Sequence, residues 1–142
     1  MDFLARREHS EQELARKLAT RGYAADTVAT TLAALVADRL LSNARFAEAF
    51  VHARIQRGSG PQKIRAELRE RGISDELIDN CLEAVADSWR ELARQVRTKR
   101  FGSGQPKDFR ERSRQMRFLQ QRGFSAEQIS GAFPDGDPDA FD

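Results

Sequence analysis

The chain has 142 residues, 39% apolar and 32% charged, enough to bury a core beneath a very polar surface. No run of about 18 apolar residues is present, which argues against a membrane-spanning helix, and the opening MDFLARREHS lacks the apolar stretch of a secretory signal. The lone cysteine, Cys81, cannot close an internal disulfide, so a cytoplasmic setting is expected, and the net charge of +2 conceals a basic body of +6, with 24 basic against 18 acidic side chains once the acidic segment from Pro134 is set aside.

In chain order, the first expected element is a short helix at Phe3 to Arg7. Ser10-Glu11-Gln12-Glu13 has the spacing of a capping box, in which serine and glutamate satisfy each other's backbone N–H, and it opens a helix that ends at Gly22. Val28, Thr31, Leu32, Leu35 and Val36 follow with helical periodicity. Asn43 to Gln56 carries Phe46, Ala49, Phe50 and Ala53 on one face. Pro61 sits where a first helical turn tolerates a missing N–H, and that helix runs to the arginine before Gly72. Ser74 caps a helix with Ile78, Cys81, Leu82 and Val85 inward, which places Cys81 on a core face rather than in a reactive site. Trp89 to Arg100 repeats the long-helix pattern through Trp89, Leu92, Ala93 and Val96. The stretch Phe101 to Asp108, with Gly102, Gly104 and Pro106, is expected to be a looser joint than the one between Arg57 and Pro61. A further helix ends at Gly123, and Ser125 with Gln128 forms another capping box. Pro134 to Asp142 holds Asp135, Asp137, Asp139 and Asp142 without a basic residue and is read as a disordered tail.

One phrase recurs at offsets of 50 and 51. Leu18, Leu68 and Leu119 align, as do Arg21, Arg71 and Arg122, the glycines Gly22, Gly72 and Gly123, and then Tyr23, Ile73 and Phe124. Core slots stay apolar while exposed slots vary, which is the mark of a structural repeat. The expected fold is all-α: three tandem three-helix repeats, 1–41, 42–87 and 88–133, stacked into an elongated, curved superhelix, followed by the acidic tail 134–142. Units this small stand by sharing cores with their neighbours.

Twenty of the 24 basic residues are arginine, whose planar fork matches phosphate or carboxylate. Three clusters stand out. Arg57, Lys63 and Arg65 lie in the second unit, where Glu67 and Glu70 can neutralise them. Arg90, Arg94 and Arg97, with Arg100 beyond, fall at i, i+4, i+7 and suggest an exposed stripe. Arg110, Arg114 and Arg117 have the same spacing. Such stripes suit phosphates or an acidic protein surface, or they are solvated faces with local ion pairs. Aromatic residues fall mostly at core slots, which argues against reading bases by stacking. Arg21, Arg71 and Arg122 complement helix C-termini. His9 and His52 lack partners at metal spacing, and Gly58-Ser59-Gly60-Pro61-Gln62-Lys63 lacks the spacing of a phosphate loop, so no cofactor, metal or catalytic site is expected.

Leu4-Ala5-Arg6-Arg7-Glu8-His9-Ser10, with Glu13-Leu14 and Lys17-Leu18, resembles the opening of RecX regulatory proteins. Asn43-Ala44-Arg45-Phe46-Ala47-Glu48-Ala49-Phe50 with Gly60-Pro61 and Ile64-Arg65 resembles a later family segment, as do Leu68 to Ile78 and Phe118 to Phe124. The resemblance spans residues 3 to about 133. It implies a non-enzymatic negative regulator of the RecA recombinase, a monomer that docks along the groove of the RecA filament on single-stranded DNA. It also implies suppression of ATP hydrolysis and strand exchange, with weak contact to single-stranded and double-stranded DNA. The alternatives from the residues themselves are a general DNA-binding helical module or a scaffold for another acidic partner.

Overall fold

The computed structural model describes residues 7–134; the expected helix at Phe3 and the acidic tail from Asp135 lie outside them. Among the described residues the fold is all-helical. The helices are α1 (Glu11–Thr20), α2 (Ala25–Ala37), α3 (Asn43–Gln56), α4 (Pro61–Glu70), α5 (Asp75–Glu83), α6 (Trp89–Phe101), α7 (Phe109–Gln121) and α8 (Ala126–Ser130), with a 3₁₀ turn at Ala86–Ser88 before α6. None is long and apolar enough to cross a membrane.

The caps follow the local chemistry. Ser10 Oγ accepts from the Glu13 N–H at 3.0 Å while the Ser10 N–H donates to Glu13 Oε1 at 3.2 Å. Ser125 and Gln128 make the same exchange. After α1, α4 and α7, the glycine N–H bonds back to Ala19, Arg69 and Gln120 respectively, and the next N–H to Leu18, Leu68 and Leu119. That paired pattern is a Schellman end. It needs the positive φ found at Gly22, Gly72 and Gly123, which a side chain would strain. Ile73 and Phe124 pack back and are buried, but Tyr23 stays 55% exposed.

Two compact units form. One runs to His52 and resumes over Ala66–Cys81; the other comprises Ala53–Arg65 and the chain from Leu82. In the first unit Leu14, Leu18, Val28, Leu35 and Leu41 form a buried cluster. Each such side chain contributes about 2 kcal/mol on leaving water. Asn43 Oδ1 accepts from the Glu11 N–H at 2.8 Å, so α3 supplies a cap to α1. Glu13 also meets the Arg71 Nε at 3.7 Å, and the Arg71 guanidinium lies 4.8 Å from the Phe50 ring centre. Cys81 is partly buried, and burial, aided by the Glu48 charge, pushes its thiol pKa up, which keeps it protonated and a poor nucleophile. In the second unit α6, α7 and α8 pack together around Trp89, Ala93, Leu119, Phe124, Ile129 and Phe133.

His9 is buried, with Nδ1 3.1 Å from the Arg7 carbonyl and Nε2 2.9 Å from Lys17 Nζ. Burial first, then the Arg7 and Lys17 charges, lowers its pKa below the ordinary 6.5. The unfolded chain therefore binds a proton that the folded chain refuses. Stability from neutral His9 is present above pH 6.5 and is lost as pH falls from there through the depressed folded value. Melting temperatures followed downward from pH 8 should begin to fall below pH 6.5, and His9→Gln should remove that early fall. A flat wild-type curve down to the carboxylate range would refute a neutral buried His9.

Candidate functional site

The second unit carries a groove of about 620 Å³. Ile55, Leu92, Val96 and Phe118 supply apolar wall, and Arg57, Lys99, Arg100 and Arg122 supply the charge; no carboxylate lines it. Three pieces of chain build it: the C-terminal end of α3 with its turn, the outer face of α6, and the last turn of α7.

A backbone contact sets this arrangement. The Gly60 N–H donates to the Arg122 carbonyl at 2.7 Å, and the Gln62 N–H to the Gly123 carbonyl at 2.9 Å. Arg122 Nη1 reciprocates, donating to the Arg57 carbonyl at 3.1 Å. So Arg122 does more than complement its own helix end; it ties that end to the carbonyls that close α3. The same guanidinium lies 5.3 Å from the Phe118 ring centre, and the Arg100 guanidinium lies 5.6 Å from it. Phe118 in turn meets Phe101 edge to face at 5.3 Å. Each cation–ring contact contributes about 0.5–1 kcal/mol at an exposed site and restricts the arginine's rotamers.

The arginines of the sequence clusters are distributed unequally. Arg57 and Arg100 line the groove, joined by Lys99 and Arg122. Lys63 and Arg65, on α4, do not. Arg90 pairs with Glu127 and Arg94 with Glu91, both exposed.

Arg97 corrects the expected α6 stripe, because it is 1% exposed. Its Nε donates to Gln115 Oε1 at 2.9 Å and its two Nη groups to the carbonyls of Gly102 and Gly104. Its guanidinium lies 4.6 Å from the Phe133 ring centre. Burial, then the neighbouring Arg112 charge, lowers its pKa. The two Nη bonds tie the Gly102 and Gly104 carbonyls of the joint to α6. Trp89, Ala93 and Arg97 are the buried residues of α6, at i, i+4, i+8, so the periodicity contained the signal and the charge masked it.

On α7, Arg114 Nη2 pairs with Glu111 Oε1 at 2.7 Å and its guanidinium lies 5.0 Å from the Phe101 ring centre. Hydrogen bonds from Arg114 and Gln115 hold the Glu111 carboxyl at about 2, so the pair persists across the physiological range. Arg110 and Arg117 are exposed and make no ion pair among the described residues. Sequence reasoning underweighted Lys99 and Arg122. Neither had a local signal, since the groove exists only where α3, α6 and α7 meet. Among the described residues no group of three or more His, Cys, Asp or Glu could hold a metal ion.

Family models described as the first, second and third three-helix domains of RecX match residues 1–35, 42–82 and 89–133. The regulatory protein RecX of Halorhodospira halophila is 50% identical over 136 residues, covering 96% of this chain and 84% of that relative. The protein of the same name from Chromohalobacter salexigens is 49% identical over 129 residues, covering 91% and 84%. A crystal structure of regulatory protein RecX superposes with a TM-score of 0.80 at 26% identity, over 92% of this chain and 66% of that one. RecX from Lactobacillus salivarius gives a TM-score of 0.78 at 20% identity, which bears on the fold alone.

Proposed function

The chain belongs to the RecX family of regulatory proteins, and on that premise we propose that it is a negative regulator of RecA. It binds along the groove of the RecA filament on single-stranded DNA and inhibits ATP hydrolysis and strand exchange. The observation that carries the reading onto this chain is the groove at Arg57, Lys99, Arg100 and Arg122: four cations, no lining carboxylate, and ring contacts that hold two of them in place. Such a face receives a polyanion or an acidic protein surface. No step of this function needs bond chemistry from the chain; binding energy alone shifts the filament between states.

The deciding experiment is RecA's ATP hydrolysis on single-stranded DNA with sub-stoichiometric amounts of the protein. Suppression supports the reading; unchanged hydrolysis at saturating amounts ends it. Lys99→Glu with Arg100→Glu should weaken filament binding on the order of tenfold. Arg90→Glu with Arg94→Glu, whose charges already face Glu127 and Glu91, should change it much less. Equal losses in both doubles would move the site away from the groove.

The acid-free groove also favours a second reading, a general DNA-binding module. That reading requires tight binding to naked DNA with a steep salt dependence. A nearly flat salt dependence would exclude it.

A further inference from the structure

We propose that the groove has a second occupant within the same chain: the acidic C-terminal segment 135–142, which competes there with the anionic partner. The proposal rests on the groove being the seat of that partner.

Three observations meet. The first is where the segment departs. Phe133 is buried with the guanidinium of Arg97 4.6 Å from its ring centre and that of Arg112 4.2 Å. The Pro134 carbonyl accepts from Gln105 Nε2 at 3.3 Å. The last described residues are thus clamped to α6 and α7, the two helices that carry Lys99, Arg100, Phe118 and Arg122.

The second is reach. Residues 135–142 span roughly 26–29 Å when extended. Arg112 and Phe118 are separated by about 9 Å along α7, and α6 with its side chains is about 10–12 Å across. The groove lies within reach of a segment rooted at Phe133, with length left over for a curved path.

The third is chemistry. Asp135, Asp137, Asp139 and Asp142 face no basic residue within their own segment, while the groove offers four cations and no acid. Phe141 gives the segment one large apolar side chain, and the groove has one apolar wall of Ile55, Leu92, Val96 and Phe118 to receive it. A tethered ligand acts at millimolar effective concentration, so weak contacts suffice to compete. Because the contact is largely between exposed charges, it fades as salt shortens the Debye length below about 8 Å.

The test has a direct arm and a functional arm, both on the full chain. A nitroxide is placed at Ala140→Cys in a Cys81→Ser background, and backbone amide signals are recorded. Beyond the residues around the tether at Gln105, Arg112 and Phe133, broadening at Gln95–Arg100 and Phe118–Arg122 at low salt, removed by high salt, is expected. Absence of broadening there, or broadening spread evenly over the surface, overturns the proposal. In the second arm, affinity for labelled oligo-dT is compared between wild type and the Asp135→Asn, Asp137→Asn, Asp139→Asn, Asp142→Asn variant. Removing the competitor should tighten binding roughly three- to tenfold at low ionic strength, with the gain vanishing at high salt. Equal affinities overturn competition. If wild type does not bind oligo-dT, the broadening decides alone. Lys99→Glu with Arg100→Glu separates the two failures: oligo-dT binding that survives this double removes the partner from the groove, whatever the tail does, whereas lost binding without broadening removes only the tail.

Discussion

Gly60→Ala is expected to cost about 3 kcal/mol of stability, as overpacking against backbone does. A Cβ there would lie 2.4 Å from the Gly123 carbonyl carbon, 2.5 Å from its oxygen and 2.6 Å from the Phe124 nitrogen. Those atoms cannot yield singly. Gly123 is fixed by its left-handed C-cap, and Phe124 is 1% exposed. The strain must instead separate the turn after α3 from the end of α7, breaking the 2.7 Å bond from Gly60 to Arg122. That bond organises the groove, so partner binding should fall with stability. Urea denaturation followed by circular dichroism measures the cost. Gly104→Ala is the control, since nothing lies within 4 Å of a Cβ there, and it should stay within about 0.5 kcal/mol of wild type. A Gly60→Ala protein that unfolds like the control would refute the close approach.

Arg97→Met should cost about 2–3 kcal/mol, because it removes the donor from three buried or half-buried acceptors while filling similar space. Gln115 Oε1 and the Gly102 and Gly104 carbonyls lose their partner, and the Phe133 ring loses one of its two cations. Arg97→Lys should recover little, since an ammonium cannot present the fork that serves a side-chain amide and two carbonyls together. Arg94→Met, one turn away, should change stability by less than about 0.5 kcal/mol, because its pair with Glu91 is exposed. Equal and small effects at both positions would restore the exposed stripe suggested by spacing alone.

Both predictions turn on residues whose role spacing misassigned or left out. Gly60 has no positive φ, so no turn rule singles it out; its requirement comes from a backbone far along the chain. The charged head of Arg97 points to an outward place, yet its stem occupies the core slot after Trp89 and Ala93. Its head is satisfied by carbonyls of the joint that follows α6. Spacing alone makes Arg122 a dipole partner at its own helix end. In the fold it also closes the end of α3, 65 residues away in sequence.

The sequence by itself determined what depends on neighbours along the chain. Ser10 and Ser125 cap because the residue three places on can answer them, and Gly22, Gly72 and Gly123 stop helices because their own φ must be positive. Apolar periodicity marked Leu18, Leu68, Ile78 and Leu119 for burial, and these local rules suffice for an all-helical chain with a thrice-repeated phrase. The tertiary structure alone decided which arginines share a face. A guanidinium sits on a long flexible stem, so helical position limits its direction without fixing its neighbours. Only the approach of Gly60 to Gly123 gathers Arg57, Lys99, Arg100 and Arg122 around one groove, while Arg97, three residues from Arg100, is drawn inside.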